Sequence, residues 1–176
     1  MKDDSKRLLS LIETAFDGVE LGNGVSLHET IVIDHYGDSE ERQIARRTDE
    51  KADWRRLVFD PELSEIHGVG GLTFYDAEGL RFHLPAYLSL AVLWASSRLR
   101  GSFNSDIFYS LLYQLTSLND YQLERFAILN EQQRMCVKEV LLYLHAYILF
   151  DFETYESDID RAIADYWSNP PTDHSE

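Results

Sequence analysis

The sequence predicts a mainly helical α+β domain, with about six helices packed around one β-hairpin at residues 72–84. Three observations predict it. Apolar residues recur at helical spacing along most of the chain, helix-start and helix-stop residues punctuate those runs, and strand-like alternation is confined to one stretch around a turn. With 176 residues, ten Tyr, nine Phe and three Trp, the chain can bury one core. Residues 1–169 therefore read as a single domain, and 170–176 as a loose tail after Asn169-Pro170-Pro171.

Leu8, Leu11, Ile12, Ala15, Phe16 and Val19 follow the potential cap Asp4-Ser5 at helical spacing, with Gly18 near the end. Ser26 and Glu29 then form a capping-box pattern, opening a second helix that runs to about Tyr36 with Gly37 past its end. Residues 39–47 read as a polar helix, and Asp60-Pro61-Glu62-Leu63 as the start of a short one. Gly68-Val69-Gly70-Gly71 reads as a turn into the hairpin, because no helix N-terminus follows it to cradle a phosphate.

In that hairpin Leu72, Phe74, Phe82 and Leu84 would share the core face, and Thr73, Tyr75, Arg81 and His83 the other, with Gly79 in the turn and a third strand as a possible extension. Pro85 is expected at the first position of an apolar helix ending near Arg98-Leu99-Arg100-Gly101. Ser105–Leu115 reads as helix, although its aromatics also suit a strand. Asn130-Glu131-Gln132-Gln133 caps a long helix through Ile148, and Ser157 or Asp158 a last one ending at Tyr166-Trp167.

Charge is sorted along the chain. Residues 13–41 hold eight acids and no Lys or Arg, residues 151–176 hold eight acids against Arg161, and these two stretches account for the whole net charge of −15. Such a balance opposes binding to phosphate backbones, so nucleic acid is disfavoured as a partner. A single cysteine, Cys136, suits a reducing compartment, and no apolar run is long enough for a bilayer, so cytoplasm is the expected location.

The densest polar run is Arg46–Arg56, where Asp49 and Asp53 would lie one turn apart in a helix beside Arg47, two carboxylates that suit a cation or acid and base roles. The commoner use is structural, with Asp49 capping a helix and Asp53 paired to Arg46, Arg47 or Arg56. A second cluster, Asp76, Arg81 and His83 with Tyr75, would form a small pocket for an anionic group, unless Arg81 simply pairs across the sheet. The six histidines fit no zinc pattern, Cys136 sits in an apolar helix, and no cofactor or metal is implied. In the C-terminal stretch Asp151, Glu153, Glu156, Asp158, Asp160 and Asp165 surround Tyr155 and Trp167, an acidic rim with aromatic anchors suited to a basic protein. The alternative is that Phe150, Phe152, Tyr155, Tyr166 and Trp167 belong to the core and the acids to the solvated back of a helix.

In Arg47-Thr48-Asp49-Glu50, Asp53-Trp54, Phe74-Tyr75-Asp76-Ala77-Glu78-Gly79-Leu80-Arg81-Phe82 and Leu84-Pro85-Ala86-Tyr87, the chain resembles an uncharacterised bacterial family known only as a domain of unknown function. Leu129-Asn130-Glu131-Gln132-Gln133 and Tyr166-Trp167 are weaker echoes. The resemblance implies a bacterial, intracellular setting and a shared centre, and no activity. Charge sorting without a complete catalytic motif points to a non-enzymatic acidic protein that neutralises a basic partner, as immunity proteins neutralise toxins. The alternatives are a small enzyme or small-molecule binder using Arg47, Asp49, Asp53, Asp76, Arg81 and His83, and an accessory protein kept soluble by its acids.

Overall fold

The computed structural model describes residues 2–65, 71–96, 105–148 and 153–168. Among the described residues the fold is all-α, with nine α-helices and no strand. In chain order these are α1 (Lys2–Ala15), α2 (Leu27–Asp34), α3 (Ser39–Arg46), α4 (Pro61–Glu65), α5 (Ala77–Ala95), α6 (Ser105–Thr116), α7 (Asp120–Phe126), α8 (Glu131–Ile148) and α9 (Glu153–Ala162). Short 3₁₀ turns occupy Trp54–Leu57 and Gly71–Thr73, and a π-helical turn, Ile163–Trp167, continues α9. Gly68, Val69 and Gly70, the stretch from Arg98 to Gly101, and the tail after Ser168 lie outside the described residues.

The expected hairpin is absent, so the α+β reading is corrected: residues 77–84 are the first turns of α5. Asp76 starts that helix instead of a turn, its carboxylate accepting the Gly79 N–H at 2.8 Å and, from across the fold, the Val25 N–H at 3.0 Å. Gly79 is needed for space and not for positive φ, because a Cβ there would lie 2.5 Å from the Val25 carbonyl oxygen. Gly24 meets it from the other side, its own Cβ position 2.4 Å from Gly79 N. Pro85 falls inside α5, where Ser89 Oγ donates to its carbonyl at 2.7 Å. The alternation was misleading because α5 is buried on nearly all sides, which removes the polar stripe that reveals a helical period.

Around α5 pack α1, α7, α8 and the Trp54–Leu57 turn; α8 also packs on α1 and α9, and α6 on α9. Two indoles fasten the shell, Trp54 Nε1 donating to the Phe16 carbonyl and Trp167 Nε1 to the Leu115 carbonyl, both at 2.9 Å. Buried Arg125 donates to the carbonyls of Leu72 and Tyr75 at 2.9 and 3.0 Å and to the side-chain oxygens of Gln114 and Gln122. No carboxylate shares that set, and burial pushes the guanidinium below its usual range. Arg125 thereby ties the Gly71–Thr73 turn to α6 and α7. Cys136 is buried in α8, with its thiol pushed up to about 12 by burial, as expected of a core side chain.

Candidate functional site

The loop from Arg46 to Asp53 is a clasp built by charge. Buried Glu29 is opposed by desolvation, yet the Ser26 N–H (2.8 Å) and the Arg46 guanidinium (2.8 Å) outweigh it and hold the carboxyl below its usual range. Arg46 also donates to the carbonyls of Gly22 and Gly24, and Lys51 Nζ to those of Arg46 and Asp49 at 2.9 and 2.8 Å. Asp49 reaches back to α2, accepting the His28 N–H at 3.0 Å and lying 2.5 Å from His28 Nδ1. Glu50 Oε1 accepts the N–H groups of Ala52, Lys51 and Asp53, led by Ala52 at 2.8 Å, which lowers its pKa. Asp53 caps the next turn at Arg55 N and pairs with the Arg55 side chain at 3.4 Å, not with the arginines expected from sequence. The segment is not helical, so Asp49 and Asp53 are not one turn apart.

Of the expected pocket residues, the structure brings three into electrostatic reach of one another. His83 is fully buried in α5; its Nδ1 carries the proton, because it lies 2.7 Å from the Gly79 carbonyl, which can only accept. Burial pushes its pKa down to about 4, against the weaker pull of Asp49 and Asp76. Tyr75 stacks on its ring with centroids 4.1 Å apart, and burial drives the hydroxyls of Tyr75 and Tyr87 above their usual range. Arg47 is exposed at the end of α3, Asp53 serves its cap, and Arg81 lies half-buried with its Nε unpartnered. Asp49 alone of the six lines the open cleft of about 410 Å³ beside Thr48, Glu50, Arg56 and Asp60. No group of metal-ligating side chains occurs among the described residues.

The two acidic stretches differ sharply. In the second, Asp151 and the side chains of Glu153, Tyr155 and Glu156 lie outside the described residues, as do Phe150 and Phe152. Asp158 pairs with Arg161 at 3.0 Å, Asp160 lies 3.5 Å from His145, and Asp165 is exposed. Trp167 and Tyr166 are inside, packed against Phe126, so the expected anchor Trp167 is a core side chain. In the first stretch Glu29 and Asp17 are matched by Arg46 and Arg55, each at 2.8 Å. Beyond them, Asp34, Asp38, Glu40 and Glu41 form no ion pair among the described residues.

Those four acids flank, in sequence, a residue that sequence reasoning passed over. Tyr36, between α2 and α3, is 97% exposed. It is also the single non-glycine residue with positive φ (58°) among the described residues. The backbone there closes α2 in a Schellman motif, with Gly37 N–H donating to the Val32 carbonyl at 2.8 Å and Tyr36 N–H to that of Ile33 at 3.0 Å. The left-handed position, where glycine belongs, holds Tyr36; Gly37 follows because a Cβ there would meet Val32 Cγ1 at 2.4 Å. Asp34 ends α2 where the helix dipole favours a cation, and no basic residue occupies that last turn. Next to the tip α3 opens on Asp38, whose carboxylate accepts the N–H groups of Glu40 and Glu41, and none of its residues is buried. Sequence pattern pointed to Gly37 as the glycine past the end of α2, so a left-handed Tyr36 had no signal of its own.

Fold and surface together define an all-α domain with a polar clasp and an exposed aromatic tip between two helices that carry unpaired acids. The chain matches a family of unknown function, DUF6714, over residues 4–170, and it belongs to that family. No curated protein and no solved structure matches it. No helix among the described residues is long and apolar enough to cross a membrane.

Proposed function

We propose that this chain is a non-enzymatic binding protein that captures a basic protein partner through an acidic surface, in the manner of an immunity protein neutralising a toxin in the cytoplasm. The observation that carries the reading is Tyr36. A bulky ring held almost fully in solvent on left-handed backbone, beside an acid at the wrong end of a helix, breaks two local rules within three residues. Such violations concentrate where function opposes stability. Carboxylates at Asp34, Asp38, Glu40 and Glu41 would accelerate encounter with a cationic surface, and the ring would lengthen residence. The second acidic stretch supports this less, since two of its described acids face Arg161 and His145. An enzyme built on Asp49 and Asp53 has less support, because both carboxylates already serve backbone N–H groups.

The test is capture of the partner on the immobilised chain, followed by kinetics against salt. Association should slow as the screening length falls below ~8 Å. Asp34→Lys with Glu40→Lys should slow it by about tenfold, whereas Tyr36→Ala should chiefly speed dissociation. Asp165→Lys should change neither. Capture that is indifferent to the charge reversal at Asp34 and Glu40 overturns the reading.

A further inference from the structure

Between α1, the Trp54–Leu57 turn and α5 runs an open groove of about 340 Å³ whose walls include Leu9, Trp54, Val58 and Leu93. Its rim carries Phe59, which is 75% exposed, and Glu13. No contact among the described residues explains that exposure. Phe59 follows the 3₁₀ turn whose neighbours Trp54, Leu57 and Val58 are all buried, and its ring alone is left outside. An isolated exposed apolar side chain is ordinary, but one standing at the lip of an apolar groove makes an anchor and a pocket in one place.

Charge on the rim selects what fits. Arg55, the cation in the groove wall, is already held by Asp17 at 2.8 Å and Asp53 at 3.4 Å and stacks on the Trp54 ring, 4.9 Å from its centroid. Glu13 forms no ion pair among the described residues. The rim therefore presents unmatched negative charge beside an aromatic face, both of which attract Lys or Arg, above a floor that accepts an apolar side chain.

We propose that this groove docks an amphipathic cationic segment of the partner, with one apolar side chain seated between Phe59 and the Leu9–Leu93 floor and flanking Lys or Arg on Glu13 and the Phe59 face. This rests on the reading above that the partner is cationic. It adds an apolar pocket, which the exposed α2–α3 tip lacks, and so predicts selectivity among basic chains and not mere attraction to all of them.

The probes are two synthetic helical peptides of equal positive charge, one built of Lys and Leu, the other of Lys and Ser. Each is titrated into the full chain while methyl resonances of Leu9, Val58 and Leu93 and amide resonances of residues 34–41 are followed. The Lys/Leu peptide should shift the three groove methyls and bind the wild-type chain more tightly than the Lys/Ser peptide. Phe59→Ala, at a site too exposed to endanger folding, should weaken the Lys/Leu peptide by about tenfold and the Lys/Ser peptide, which loses only the cation–π contact, by about threefold. Glu13→Lys should weaken both. Equal affinity for the two peptides, or groove methyls that do not move, refutes the groove while amide shifts at 34–41 keep the cationic-partner reading alive. Absence of binding by either peptide refutes both.

Discussion

If the α2–α3 tip is shaped for a partner, restoring local rules there should stabilise the fold and abolish capture. The perturbation is Tyr36→Gly with Asp34→Lys. Left-handed backbone costs a non-glycine residue about 1–2 kcal/mol. The greater freedom of glycine in the unfolded chain takes back about 0.5–1 kcal/mol, for a net gain near 0.5–1 kcal/mol. No burial is forfeited, because Tyr36 is 97% exposed. A lysine at the C-terminal end of α2, in place of an unpaired carboxylate, adds about 0.3–1 kcal/mol. The double variant should gain about 1 kcal/mol and melt roughly 3 °C higher, a shift set by the chain's size. Urea and thermal unfolding followed by circular dichroism measure this without any partner. A loss of more than about 1 kcal/mol would refute the reasoning, because it would mean that the ring or the carboxylate holds the fold together.

Three further outcomes follow from the interior. His83 is neutral in the fold, with a pKa of about 4 against 6.5 in the open chain. The unfolded state therefore binds the extra proton between those values, so stability is full above pH 6.5 and falls by about 3 kcal/mol on approach to pH 4; His83→Gln should flatten that limb of a pH-dependent urea series, and an unchanged limb would contradict the assignment. Arg125→Met removes the donor to the Leu72 and Tyr75 carbonyls and to the Gln122 oxygen, while Gln114 keeps its bond from Gln122 Nε2, and should cost about 3 kcal/mol in the same assay. Gly79→Ala should destabilise by about 2 kcal/mol, although helix propensity alone would favour alanine by roughly 1 kcal/mol, because the new methyl would meet the Val25 carbonyl.

Amphipathic elements were the easiest to read. α1 and α8 kept a polar face, so their period survived in the sequence, and the Asp60-Pro61 start of α4 and the polar helix α3 carried clear local signals. α5 did not, because a helix buried on nearly all sides has no stripe, and alternating Leu72, Phe74, Phe82 and Leu84 imitate a strand. Its true start, Asp76 capping Gly79, has the same residues as a turn; only Val25 packed against Gly79 distinguishes them, and that contact is remote in sequence. α7 had a cap in Asn119, yet its short run and the buried Arg125 gave no apolar face to find. At the candidate site, the acid count marked the first stretch correctly as unbalanced, whereas separating matched Glu29 and Asp17 from unmatched Asp34 and Glu40 required the fold. Trp167 looked like a surface anchor because its acidic neighbours point outward while its own ring turns in.

The most direct measurement is site-specific photocrosslinking from position 36. With Tyr36 replaced by a benzophenone-bearing analogue of similar shape, irradiation in cells that naturally make the chain should give one dominant adduct with a protein of net positive charge, lost when Asp34 and Glu40 are reversed to Lys. The same probe at exposed Asp165 should give none. Adducts that form from position 165 and not from 36, or that survive the charge reversal, would contradict the claim that the α2–α3 tip is where this protein meets its partner.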